Sequence, residues 1–345
     1  MTVQPNLRRR TFIAGLTAAA LTLTACGGSD DEFKADPDAL VIYSSQHENV
    51  TQAWAEAFTE ATGVKTQVRP GKDSSMGQQI VEEGAKSPAD VFLTENSPAM
   101  TVVSRANLLA PVEAATLAQL PQGFAPSSKD WTAIAARSTV LVYNPSKIKE
   151  SALPKSMMDL QQPQWKDKWG GAPGGADFQA IVAGMLAMKG KPATQAWLKA
   201  LKANAKIYQN NVATMKAVNA GEVPVGIMYH YYWYRDQAKT KEGSKNTKLH
   251  YFKGEDPGAF VSLSAGGVLK SSKKADKAQQ FLKFITGLQG QQVLTDSKSM
   301  EYAVGKDAKS DPALPALNSL QAPKVDPFNL NSDIVIQMMT DAGIL

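Results

Sequence analysis

Cysteine is almost absent from this chain: one residue, Cys26, in 345. That excludes an internal disulfide, a cysteine-ligated zinc or iron-sulfur site, and a thiolate nucleophile in the folded body. Histidine is nearly as scarce, with three residues in unrelated segments. There is no Gly-x-Ser-x-Gly elbow, no His-Glu-x-x-His helix and no Gly-x-x-x-x-Gly-Lys loop, so the expectation is a protein without catalysis. Lysine-rich runs interleaved with aromatics are missing too, which argues against nucleic acid as a partner. The uncharged run from Ile13 to Ala25 falls short of the roughly 20 residues that cross a bilayer.

That run has another use. Arg8-Arg9-Arg10-Thr11-Phe12 precedes it and Leu23-Thr24-Ala25-Cys26 closes it. The first motif is similar to a twin-arginine export signal and the second to a lipobox, in which cleavage leaves Cys26 as a lipidated N-terminus. A basic segment before a short apolar run also suits ordinary Sec export. Residues 1–25 therefore read as a signal peptide. The 37 basic residues of the whole chain, less the three arginines of the signal, leave 34 against 32 acidic ones, so the mature chain is close to neutral. Residues 26–38, beginning Gly27-Gly28-Ser29-Asp30-Asp31-Glu32, read as a flexible tether. The expected location is the outer face of the cytoplasmic membrane or the periplasm, with membrane contact through the N-terminal lipid alone.

From Leu40 onward, strand-like apolar runs alternate with amphipathic helical patterns, which predicts an α/β fold built from parallel sheets. Strands are expected at Leu40 to Tyr43, Val64 to Val68, Ala89 to Leu93, Thr132 to Tyr143, Val223 to Met228 and Ala259 to Leu269. Helices are expected over Val50 to Ala61, Asp177 to Met188, Ala193 to Ala203, Ala275 to Gly287 and Ser332 to Ala342, with a polar helix starting at Tyr234. About 320 mature residues exceed one typical core. The reading is two doubly wound lobes with a hinged cleft between them, residues 39–138 plus 263–312 and residues 139–262 plus 313–345, in a monomer. Ligands of such sheets bind beyond the carboxyl ends of the strands, where His47 and Glu95 fall.

Tyr231 and Tyr232 stand side by side where an apolar run meets a polar one. A phenol beside a small, highly charged cation loses its proton and becomes a hard oxygen donor, and Fe(III) suits that donor best. Neighbouring side chains on a regular strand point to opposite faces, so two consecutive tyrosines converge only where the strand breaks. An aromatic cluster filling a core fits this stretch equally well.

Four further motifs in order widen the pattern: Tyr43-Ser44-Ser45-Gln46-His47-Glu48, Pro88-Ala89-Asp90-Val91-Phe92-Leu93-Thr94-Glu95, Gly221-Glu222-Val223-Pro224 ahead of Tyr231-Tyr232-Trp233-Tyr234, and Asp256-Pro257-Gly258-Ala259. With these the chain resembles, almost end to end, the periplasmic ferric-iron-binding proteins, the bacterial transferrin-like solute receptors of ABC iron importers. The resemblance implies a two-lobed type II periplasmic-binding-protein fold and an ABC permease as partner. It also implies Fe(III) held by His47, Glu95, Tyr231 and Tyr232. One imidazole, one carboxylate and two phenolates bring three negative charges to a trivalent ion. His230 has no counterpart in that pattern and is expected behind the ligands or facing solvent.

The chain departs from the family where a synergistic anion binds. The family's Ser-Gly-Ala turn is replaced by Gly175-Ala176-Asp177, and Tyr229 stands two residues before the tyrosine pair, while Asn211 matches a family asparagine. Asp177 is expected to cap its helix and repel phosphate. Carbonate, water or Asp177 itself would then complete the metal shell, and Arg137, in Ala136-Arg137-Ser138, is the residue to hold carbonate. The same fold also serves receptors for polyamines, thiamine or phosphonates, and a chelated ferric complex is a further alternative.

Overall fold

The computed structural model describes Met1 and residues 33–345; the signal segment, Cys26 and the first part of the tether lie outside the described residues. The strands are β1 (Leu40–Ser44), β2 (Thr66–Pro70), β3 (Val91–Thr94), β4 (Trp131–Tyr143), β5 (Trp169–Gly171), β6 (Ala205–Ile207), β7 (Val225–Tyr229), β8 (Lys248–His250) and β9 (Val261–Val268). The helices are α1 (Glu48–Thr62), α2 (Asp73–Glu83), α3 (Ser97–Arg105), α4 (Ala114–Leu117), α5 (Ala176–Asn204), α6 (Asn211–Ala220), α7 (His230–Ala238), α8 (Ala275–Thr286), α9 (Leu288–Asp296) and α10 (Ser332–Asp341). Residues 35–345 form one compact unit.

The strands join in the order β2-β1-β3-β9-β4-β7-β5-β6, with β8 also on β4. The all-parallel expectation fails at the centre. β1 runs parallel to β2 and β3, and β5 to β6 and β7, but β9 and β4 are antiparallel to every strand they meet. These two strands lie between the halves of the sheet, β9 running against the strands of the first half and β4 against those of the second.

Strand β4 shows why. Its 13 residues, Trp-Thr-Ala-Ile-Ala-Ala-Arg-Ser-Thr-Val-Leu-Val-Tyr, are all buried, as a near-continuous apolar run should be when both faces are covered. Residues up to Ser138 pair with β9, and from Thr139 onward the partners are β7 and β8. The one charged residue in the strand, Arg137, sits at that change of partner.

Each half has its own apolar cluster. Trp54, Phe58, Leu93, Ile134 and Phe281 gather in the first, and Trp169, Phe178, Trp197, Ile227 and Met339 in the second. Helix α1 turns Val50, Trp54 and Phe58, four residues apart, onto the first cluster. It stops at Gly63, whose φ of +73° gives a left-handed cap with its N–H bonded to Thr59 O at 2.8 Å. Helix α5 is broken at Gly190, with φ +77°, just before Pro192, so it consists of the two helices read from the sequence. Helix α10 returns to the second cluster through Val335, Met338 and Met339. Among the described residues no helix is long and apolar enough to cross a membrane.

Candidate metal centre

His47, Glu95, Tyr231 and Tyr232 come together with Arg137, Asp177, Asn211 and Tyr229. His47 follows β1 and precedes α1; Glu95 follows β3 and precedes α3. From the other half come Tyr229, the last residue of β7, and Tyr231 and Tyr232 in the first turn of α7. Helix α7 begins at His230, four residues before the expected start, and this gives a different reason for the convergence of the tyrosines. Successive residues of a helix are about 100° apart rather than opposed, so both rings lie on one side, stacked at 4.2 Å between centroids. Asp177 and Asn211 sit in the first turns of α5 and α6.

The donor atoms are closely spaced. The Tyr231 hydroxyl donates to Glu95 Oε1 at 3.1 Å and to Asp177 Oδ2 at 3.2 Å, and the Tyr232 hydroxyl donates to the same Asp177 oxygen at 2.9 Å. His47 Nε2 stands 3.7 Å from Glu95 Oε1. A small hard cation bonded at roughly 2.1 Å to six octahedral ligands holds adjacent donors about 3 Å apart. The spacing therefore fits such an ion with little rearrangement. His47 Nε2 is buried and makes no hydrogen bond among the described residues, a costly state for a ring nitrogen unless something else binds there. No group of three or more histidine, cysteine, aspartate or glutamate side chains among the described residues is placed to hold a metal, so a metal site here requires the phenols.

The surroundings shift the protonation of each candidate ligand. Burial, then Asp177, hold the Glu95 carboxyl well above the usual carboxylate range, against the pull of Arg137. Burial followed by Asp177 and Glu95 pushes the Tyr231 and Tyr232 phenols up, and burial pushes His47 down. Burial and neighbouring acids oppose the charged forms of these groups, and a multivalent cation at this place would offset that opposition.

Asp177 does not cap its helix. The residue before α5 is Gly175 and no side chain caps the helix. The Asp177 carboxylate points instead into the cluster, where it accepts from Asn96 Nδ2 at 3.0 Å, Asn211 Nδ2 at 2.9 Å and both tyrosine hydroxyls. An acceptor used by four side-chain donors has none left for the helix N–H groups. Tyr229 lies against the same group, donating to Asn96 Oδ1 at 3.4 Å.

Three supporting residues escaped the sequence reading. Asp73, at the start of α2, accepts from Ser45 Oγ at 2.5 Å and from the backbone N–H groups of Glu95 and Asn96 at 2.8 Å each, so one carboxylate pins both the His47 loop and the Glu95 loop. Asn96 bridges Asp73 and Asp177. Glu301 is the partner of Arg137. The signal for the last was present in the sequence: an arginine inside a buried strand needs a buried acid.

His230 does not face solvent. It is fully buried, accepts the Ser138 N–H at 3.1 Å through Nδ1 and stacks on Tyr302 at 4.5 Å. Burial lowers its pKa from 6.5 to about 3. An unfolded chain takes up a proton there below pH 6.5 while the folded chain does not until about pH 3, so this residue's stabilisation is complete above pH 6.5 and is lost as pH falls through that window. The full loss is on the order of 4–5 kcal/mol. In denaturant melts of iron-free protein, His230→Phe is expected to show a shallower loss of stability between pH 6.5 and 3 than the native chain; equal slopes would refute this.

Two sheet halves, joined by crossing strands and presenting strand ends to a shared buried cluster, define a type II periplasmic-binding protein. Residues 86–331 match the model of the family described as bacterial extracellular solute-binding protein, and the chain belongs to that family. It is 56% identical over 306 residues to the Fe(3+)-binding periplasmic protein of Serratia marcescens, spanning 89% of this chain and 90% of that one. With the major ferric iron-binding protein of Neisseria meningitidis serogroup B it shares 36% identity over 332 residues, 95% of this chain and 97% of the other. The crystal structure of iron-bound HitA from Pseudomonas aeruginosa superposes with a TM-score of 0.82 at 42% identity, over 89% of this chain and 100% of that one.

Proposed function

We propose that this chain is an extracytoplasmic receptor that binds Fe(III) in the cleft between its two lobes and delivers it to an ABC permease. The observation that carries this is the meeting of two phenols hydrogen-bonded to two carboxylates, with the unpartnered His47 Nε2 3.7 Å from one of them. His47 and Glu95 act from the lobe of residues 39–138 plus 263–312, and Tyr231 and Tyr232 from the lobe of residues 139–262 plus 313–345. The ion closes the cleft by bonding to both. Cys26 carries the lipid that keeps the receptor at the membrane, and the receptor works as a monomer.

Asp177 takes the place of an exogenous anion. Its carboxylate already shares one oxygen with both tyrosine hydroxyls, so it supplies in the protein the negative oxygen a separate carbonate would bring, and it repels phosphate. Asn211 and Asn96 hold it there, and Tyr229 fills the space behind. Polyamine, thiamine and phosphonate receptors have no use for adjacent phenols beside two carboxylates.

Phenolate bound to Fe(III) gives a visible charge-transfer band. Protein loaded with ferric iron is therefore expected to be coloured at neutral pH and to bleach on acidification. The sign follows from the phenols: binding must displace protons that burial and the two carboxylates hold more tightly than usual, so each fall in pH favours release. A colourless protein after loading at pH 7 would defeat the proposal.

A further inference from the structure

Behind the ligands lies a charge pair that the metal site does not itself use. Arg137 is 0% exposed and Glu301 1%. The guanidinium Nη2 bonds to Glu301 Oε1 and donates to Ser264 Oγ at 2.9 Å. Nη1 makes no hydrogen bond among the described residues, yet it is held 3.3 Å from Glu95 Oε1 and 4.0 Å from Asp177 Oδ1. The same network reaches both iron-binding loops of the first lobe. Ser264 Oγ donates to the Glu95 carbonyl at 3.0 Å, and Gln46, which contacts Ser264 and Glu301, accepts the His47 N–H at 2.7 Å.

A fully buried ion pair is seldom retained for stability, since desolvating both charges offsets most of their attraction. Here its geometry is specific: Arg137 Nη1 faces both carboxylates of the centre, and Glu301, whose charge also reaches His47, fixes the arginine. Two phenolates, Glu95 and Asp177 would bring four negative charges to a trivalent ion, one more than neutrality requires. Arg137 supplies the missing positive charge at contact distance from the two carboxylates.

We infer that Arg137 and Glu301 are positioning residues that set the reduction potential of the bound iron and its ferric affinity, Arg137 by opposing excess negative charge at Glu95 and Asp177, Glu301 by orienting and partly cancelling Arg137. This rests on the ferric reading of the site. In a poorly solvated centre a fixed charge is felt by the metal far more than it would be in water. Removing the negative member destabilises Fe(III) relative to Fe(II); removing both members takes away the positive charge nearest the ligands and does the reverse.

The test is a spectroelectrochemical titration of the phenolate–iron band in the full iron-loaded protein, with Ga(III) competition as a redox-silent measure of trivalent affinity and thermal melts of the iron-free protein as a check on folding. Glu301→Gln is expected to raise the potential and weaken ferric and Ga(III) binding about 10- to 100-fold, the range for a residue that supports metal ligands. The double variant Arg137→Gln/Glu301→Gln is expected to lie below the native potential. It also serves as the test should the single variant fail to fold. A purely structural pair would shift both variants in the same direction, and that result, or an unchanged potential in either, overturns the inference. If the native chain takes up no ferric iron, the reading of the site falls as well. Native binding without the opposed shifts removes this inference alone.

Discussion

Replacing Tyr231 and Tyr232 together by phenylalanine is expected to abolish the visible band and most of the ferric affinity while the protein stays folded. Phenylalanine keeps both rings, so the stack at 4.2 Å and the contacts with the second apolar cluster survive. Only two hydroxyls are lost. Asp177 keeps its bonds from Asn96 and Asn211, which spares it the cost of a buried, unpaired carboxylate. Removing one partner of a buried charged contact costs about 3–5 kcal/mol, or on the order of 10²- to 10⁴-fold in affinity for each phenolate. The two losses need not add, because the ligands act as one shell. Spectra and competition against a soluble chelator provide the measurement; a double variant that keeps its colour would remove the tyrosines from the metal shell.

The second large effect belongs to Asp177. The native chain is expected to retain iron equally in phosphate, in bicarbonate and with neither added, as the role proposed for Asp177 requires. Asp177→Ala should lose iron on the order of 10²-fold or more readily without added anion and regain part of it when a small oxyanion is supplied. The geometry gives the reason: no side chain caps α5, and removing the carboxylate uncovers a helix N-terminus of the kind that accepts anions. Native protein that holds iron more tightly in phosphate than in bicarbonate would show that Asp177 does not take the anion's place.

Much of this was legible in the chain, for reasons that differ between residues. The long apolar run of β4 and the helical spacing of apolar residues in α8 announce themselves in the sequence. Strands β5, β6 and β8, three residues each, are too short to show any period. The start of α7 was hidden because His230 to Tyr234 is an aromatic run whose intrinsic preference leans toward strand, and only tertiary packing settles it as helix. Asp177 was visible as a departure from the family pattern, but capping is a local expectation, and the four donors that outcompete the helix come from distant segments. Arg137 in a buried strand calls for a buried acid, but nothing in Ser299-Met300-Glu301-Tyr302-Ala303 marks Glu301 as that acid. Only the pairing of Ala136 with Tyr302 across an isolated bridge brings it to Arg137.

The order of strands also bears on how the chain is made. β1, β2 and β3 lie within the first hundred residues, yet β3 takes β9 as its other neighbour, with Thr94 opposite Ala265. Until residue 268 has left the ribosome, the first half of the sheet lacks both crossing strands' full pairing and β3 keeps an open edge. The second half has β4 to β8 in hand well before that. The apolar cluster of that second half waits longer still, because Val335, Met338 and Met339 of α10 complete it. Contacts so distant in sequence close slowly, so neither half of the sheet is complete until late in synthesis.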